Sequence, residues 1–161
     1  MVFNRRSLCV CLAAIAFAPI GARAASVRVG GRSVYVPDGW STLETSATHL
    51  LAASPDQTTY LVVDERATPV TGLAEVNAAD FLLDNLQDVR LTSDRMHETH
   101  GEMVRGLTGT GTDEGQPQVF WFRLAGGKTK LVTALIYLPA SGIQTVPPSL
   151  IERILESISA G

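Results

Sequence analysis

The densest group of side chains that could do chemistry is the segment His97-Glu98-Thr99-His100-Gly101-Glu102. Imidazole nitrogens and carboxylate oxygens are ordinary zinc and copper ligands, and Asp94 is close enough in sequence to join them. The zinc-protease motif needs histidines four apart on a helix, whereas these two are three apart beside a glycine. We expect a solvated connector and no metal site, and leave open whether His97, His100 and Glu102 hold a metal ion.

Other catalytic patterns each lack a required part. Gly127-Lys128-Thr129 resembles the end of a phosphate-binding loop, but the glycine required five residues earlier is Phe122, and a β-like run follows instead of a helix. This stretch therefore predicts a hairpin turn. Because no G-x-S-x-G motif is present, His49 is predicted to be a hydrogen-bonded strand residue rather than a general base. We expect no enzyme, no catalytic residues and no cofactor.

The first 24 residues have the features of a secretory signal peptide. Arg5 and Arg6 form a basic start, residues 8–20 form an apolar run too short to span a bilayer, and Ala22-Arg23-Ala24 fits an A-x-A cleavage site. We expect cleavage near Ala24 and a single domain over residues 25–161, periplasmic or secreted, with no membrane insertion after cleavage. Sec and twin-arginine export both stay open, because paired arginines fit either signal.

Cleavage would leave an acidic chain without cysteine. Cys9 and Cys11 both lie in the predicted leader, so the remaining chain can form neither a disulfide nor a thiolate metal site. The leader holds three of the 13 basic residues and none of the 16 acidic ones, so the mature charge would be 10 minus 16, or −6. This charge argues against nucleic acid and anionic membrane surfaces as partners. A protein is the expected partner, and a basic protein is one version of it.

The elements that would position these residues centre on residues 118–139, which predict two strands joined by a turn at Gly126-Gly127. The two strands hardly alternate between apolar and polar residues, so we expect both of their faces to be covered. Trp121 or Phe122 should then lie under the closing helix. Earlier in the chain, Gly30-Gly31 and residues 54–57 predict two hairpin turns.

Two segments have helical periodicity. Residues 74–91 place apolar side chains at spacings of three and four, with Asp80, Asp84 and Asp88 on the opposite face. The three aspartates form a solvated helix face or, alternatively, a docking face for a basic partner. Residues 147–158 predict a closing helix that starts at proline and carries a clean apolar stripe. The glycine-rich residues 102–112 predict a strand with a bulge, a bend or a close backbone approach.

This order of elements predicts an α+β fold, an antiparallel sheet of about six strands with a helix packed on each face. Residues 93–101 are expected to be a polar connection within it. Nothing in the sequence decides the oligomeric state.

The run Tyr35-Val36-Pro37-Asp38-Gly39-Trp40 resembles the opening of domains of the PsbP-like family. The predicted central amphipathic helix, three-stranded meander and closing helix are also similar to that family's order of elements. The resemblance implies an α/β sandwich and a binding or accessory role, since the fold is mostly non-enzymatic, and it assigns no site residues.

The resulting hypothesis is an exported protein that acts through protein contacts, one version being a periplasmic immunity protein that neutralises a toxin. The alternative is a periplasmic metal- or small-ligand-binding protein, which would use residues 97–102 or a cleft beside residues 106–111.

Overall fold

The structure is a computed structural model that describes residues 25–67, 72–126 and 130–158. The predicted leader, residues 1–24, and the proposed turn at residues 127–129 lie outside these ranges. The strands of the described residues are β1 Ala25–Val29, β2 Arg32–Val36, β3 Ser41–Thr45, β4 His49–Ala53, β5 Tyr60–Arg66, β6 Gln87–Thr99, β7 Glu102–Asp113, β8 Gln116–Gly126 and β9 Leu131–Pro139. The helices are α1 Ala79–Leu82 and α2 Pro148–Ser157, with 3-10 turns at Leu73–Glu75 and Ala140–Gly142.

The strands form two antiparallel sheets. Strands β1 and β2 make a hairpin, and the other seven make one sheet in the order β3-β4-β5-β9-β8-β7-β6. The hairpin turn is the predicted one, because Gly30 and Gly31 have φ values of 59° and 80°, which suit glycine. The predicted turn at residues 54–57 is also confirmed, since the Gln57 amide donates to the Ser54 carbonyl between β4 and β5.

Both faces of the large sheet are covered, as the apolar central strands predicted. On one side, the α2 face, helix α2 and the β1–β2 hairpin pack on the sheet through side chains such as Ile151 and Ile154. On the other side, the α1 face, the cover is the segment 72–86 with Val76, Leu82 and Leu86. Strand β9 is buried over all of residues 131–138, because each face of it meets one of these covers.

The predicted six-stranded sheet with a helix on each face is wrong. The sheet has seven strands, an additional hairpin lies beside it, and residues 74–91 contain only the four-residue helix α1 before β6 begins. Aspartates spaced four apart repel one another along a helix, whereas residues 87–99 pair with β7 over the length of a long hairpin. Leu83, which the helical spacing of residues 74–91 predicts to lie on the apolar stripe, is exposed.

One further expectation is wrong, and another is met only in part. Residues 93–99 are not a connection but the polar outer half of β6, an edge strand on which polar side chains are usual. Trp121 is half-buried on the α2 face, while Phe122 is buried on the α1 face. Neighbouring residues of a strand point to opposite faces, so only one of the two could lie on the side of α2.

Arg105 of β7 fixes the non-helical cover of the α1 face. Its guanidinium donates to the carbonyls of Leu73 and Val76 at 3.1 and 2.7 Å, and to the two carboxylate oxygens of Asp94 on β6 at 2.8 and 2.6 Å. The carbonyls of a segment with so little helix need donors from elsewhere, and Arg105 supplies them.

The fold makes a first prediction about α2. Ile154 is fully buried between the sheet and the helix, so Ile154→Asp places an unpaired charge in the core and should lower the free energy of unfolding by roughly 3–5 kcal/mol. Ile143→Asp is the matched control, because Ile143 is 44% exposed and its replacement should change stability by less than about 0.5 kcal/mol. Urea unfolding of both variants measures the difference, and equal stabilities would contradict the packing of α2.

A second prediction concerns pH. Hydrogen bonds from Arg105 lower the pKa of the Asp94 carboxyl, partial burial opposes them and the Arg105 charge adds to them. The pKa of Asp94 is lower in the folded state than the value of about 3.9 in the unfolded state, so ionised Asp94 stabilises the fold fully at pH values above about 3.9. This contribution disappears as the pH falls through the folded pKa.

Asp94→Asn should therefore lower stability by about 1 kcal/mol at pH 7 and equally at pH 5. The difference from the wild type should shrink below about pH 4. Thermal unfolding at pH 7, 5 and 3 tests this, with the exposed Asp38→Asn as control. A difference that persists unchanged at pH 3 would show that the Asp94 charge is not the cause.

Candidate functional site

The structure separates the three candidate metal ligands. His97 lies on the α2 face of β6, His100 is in the β6–β7 turn with a φ of 52°, and Glu102 begins β7. The Glu102 carboxylate accepts two hydrogen bonds from Arg32, at 2.8 and 2.6 Å, so it ties the β1–β2 hairpin to the sheet. Among the described residues, no three His, Cys, Asp or Glu side chains are grouped to hold a metal ion.

His49 has the structural role predicted for it. Its Nδ1 lies 2.7 Å from Oδ1 of Asp64 on the neighbouring strand β5. The pair is half-buried beside the sheet's β3 edge, with Glu44 3.8 Å from the other ring nitrogen. His49 is thus a hydrogen-bonded strand residue.

The three aspartates of the suggested docking face do not share a helix. Asp80 lies in α1 and accepts from Asn77, Asp84 follows the helix and pairs with Arg66, and Asp88 lies in β6. The row on one helical face is therefore absent. Whether these carboxylates contact a partner stays a prediction.

Asp84 instead lines a concavity together with carboxylate residues from a distant part of the chain. With Leu83, Asp113 and Glu114 it lines a concavity of about 260 Å³ between the end of α1 and the β7–β8 turn. We call these four residues the acidic end. Sequence reasoning missed Asp113 and Glu114 because they join Asp84 only through the antiparallel pairing of β6 with β7.

A second concavity, of about 210 Å³, lies on the α2 face where β6, β7 and β8 run beside α2. We call it the Arg123 groove, because the guanidinium of Arg123 on β8 is buried against it with its side chain only 6% exposed. Burial lowers the pKa of Arg123, and the charges of Glu152 and Glu156 oppose this only in part. The groove is lined by Ser93, Arg95, His97, Gly106, Leu107, Thr108, Trp121, Phe122, Arg123, Glu152 and Leu155.

Sequence reasoning also missed Arg123, which was absorbed into an apolar run that indicated core. The available signal was a charged residue in the middle of a predicted central strand, where an unpaired charge is costly. The expected cleft beside residues 106–111 does exist at Gly106, which lines this groove.

Comparison with solved structures shows which fold the chain shares. The chain matches PsbP (CyanoP) of Synechocystis sp. PCC 6803 with a TM-score of 0.63 and 13% identity, over 85% of this chain and 91% of that one. It matches a Pseudomonas aeruginosa protein of unknown function, named as a regulator candidate, with a TM-score of 0.53 and 12% identity, over 82% and 94% of the two chains. A Bacteroides thetaiotaomicron structure matches with a TM-score of 0.54 and 12% identity, over 80% of this chain and 45% of the other.

The expected PsbP-like fold is therefore confirmed. At these identities the likeness shows the fold alone. No protein-family model matches the chain, and no curated protein matches it in sequence. None of the helices in the described residues is long and apolar enough to cross a membrane.

Proposed function

We propose that this chain is an exported, non-enzymatic accessory protein that binds another protein through its acidic end. The observation that supports this most is the exposure of Leu83, whose surface is 59% accessible beside three carboxylate residues. Protein-binding surfaces have an apolar centre and a polar rim, and Leu83 would be the apolar centre of this one.

The carboxylates of the acidic end favour a basic partner. Asp84 and Glu114 are both exposed, so they would add long-range attraction and speed the encounter with a positively charged surface. The chain as a whole has a net charge of −3, and −6 without the predicted leader, which acts in the same direction. Leu83 would then supply the apolar contact that the charges surround.

Export rests on the leader-like residues 1–24, and the proposal of a non-enzyme rests on the incomplete catalytic motifs of the sequence. A periplasmic immunity protein that neutralises a basic toxin is one specific version of this function. A small-ligand-binding protein is the second candidate, and the Arg123 groove favours it.

A charge reversal at the acidic end tests the proposed surface. A partner is first captured with the tagged wild type from the producing cells and then purified. The variant Asp84→Lys/Glu114→Lys should bind this partner at least about tenfold more weakly than the wild type does. Raising the salt concentration should weaken the wild-type complex, because screening shortens the reach of exposed charges. Titration calorimetry at two salt concentrations measures both effects.

The matched control is Glu75→Lys/Glu98→Lys, which makes the same change of net charge at exposed positions away from the acidic end. It should keep most of the affinity. Equal weakening by both double variants would show that only net charge matters, and unchanged binding in the first variant would contradict the proposed surface. Thermal unfolding checks that loss of the Asp84–Arg66 pair leaves the fold intact.

A further inference from the structure

The proposed function gives no role to Arg123, a buried charge with too few hydrogen-bond partners. Arg123 is the only arginine of β8, and its Nε and Nη1 atoms are buried without a hydrogen-bond partner among the described residues. Its Nη2 reaches Glu152 at 3.4 Å, a long contact to a side chain that is 58% exposed. Buried polar groups are nearly always hydrogen-bonded, so such donors indicate a missing acceptor.

We propose that the Arg123 groove binds a small monoanionic carboxylate that carries an apolar group. This site is separate from the acidic end and does not depend on the protein partner proposed there. The carboxylate would accept hydrogen bonds from Arg123, and its apolar part would lie against the walls of the groove.

The strand register places the basic side chains around a gap. Arg95 of β6 lies opposite Gly106 of β7, and Gly106 lies opposite Arg123 of β8. The middle position of this row has no side chain, so space remains between the two arginines. His97 occupies part of it, since a Cβ on Gly106 would lie 3.3 Å from its Cε1.

The lining of this gap carries more positive than negative charge. Arg95 and Arg123 contribute two positive charges and Glu152 contributes one negative charge. Glu156 lies outside the lining, although its charge also acts on Arg123. The unmet need of the groove is therefore an acceptor for the buried Nε and Nη1 of Arg123. The desolvation that lowers the pKa of Arg123 would also strengthen its hydrogen bond to an anion.

Size and lining select the kind of anion. At about 210 Å³ the groove is smaller than the sites that hold drug-sized ligands. Trp121 and Leu155 form apolar walls, which suit an aromatic or aliphatic group attached to the carboxylate. The carboxylate of Glu152 would repel a second negative charge on the ligand, so a monoanion is favoured over phosphate.

A structural role and a ligand-binding role for Arg123 predict opposite effects of its replacement on stability. A buried arginine needed for packing or ion pairing should destabilise the protein when replaced. If its donors are kept for a ligand, Arg123→Met removes an unsatisfied charge from the folded state. That variant should then melt at or above the wild-type temperature while losing the ligand.

Benzoate is a suitable probe, because it combines one carboxylate with one small ring. Trp121 lines the groove whereas Trp40 lies in a different concavity, so the full chain carrying Trp40→Phe reports binding through Trp121 fluorescence. We expect saturation with a Kd on the order of 1 mM, and no saturation with neutral benzamide or with inorganic phosphate over the same range. Calorimetry on the unaltered chain repeats the titration without the Trp40 substitution.

Three variants locate the site. Arg123→Met should abolish saturation, Arg95→Gln should raise the Kd about fivefold, and Gly106→Val should block the groove without removing a charge. Arg28→Gln is the control, because it removes an exposed arginine on β1 and should leave the Kd unchanged.

Several outcomes would overturn the proposal. These are no saturable benzoate binding by the wild type, equal binding of benzamide, and wild-type affinity in Arg123→Met. If Arg123→Met fails to fold, the stability argument is wrong, and wild-type affinity in Gly106→Val then rejects the groove by itself. If Asp84→Lys/Glu114→Lys no longer binds the protein partner but binds benzoate with unchanged affinity, the result supports an anion site that is separate from the acidic end.

Discussion

The pairing of β8 with β9 is the constraint on which the other elements depend. These strands lie inside the seven-stranded sheet, and residues 131–138 of β9 are buried without interruption. Burial of each large apolar side chain contributes about 1.5–3 kcal/mol only if something covers the face it points to. Helix α2 with the β1–β2 hairpin covers one face, and segment 72–86, held by Arg105, covers the other.

Elements with a local signal could be predicted from the sequence, and elements defined by distant pairing could not. Gly30-Gly31 marks a turn because positive φ suits glycine, and α2 has a stripe that its own spacing reveals. Residues 74–91 have helical spacing too, but β7 lies downstream and pairs with residues 87–99. That pairing makes residues 87–91 of the predicted helix part of a strand, and only Ala79–Leu82 of the rest is α-helical. The row of Asp80, Asp84 and Asp88 is therefore lost.

The two candidate surfaces have the same origin. Asp84 joins Glu114, and Arg95 joins Arg123, only after β6, β7 and β8 pair in register. The surfaces differ in charge and lie towards different parts of β7: Gly106 is at one and Asp113 at the other, seven residues and so about 23 Å along the strand. A protein partner and a small anion could therefore be bound independently on the same sheet.

The central claim is that the buried charge of Arg123 is kept in the sheet to bind an anion. The most direct measurement follows the arginine Nε–Hε resonances by NMR during a benzoate titration, with the Arg123 signal identified by its absence in Arg123→Met. The account predicts that this resonance moves saturably and farther than those of the exposed arginines. A resonance that stays in place at benzoate concentrations well above 1 mM, or equal small changes in all arginines, would contradict it.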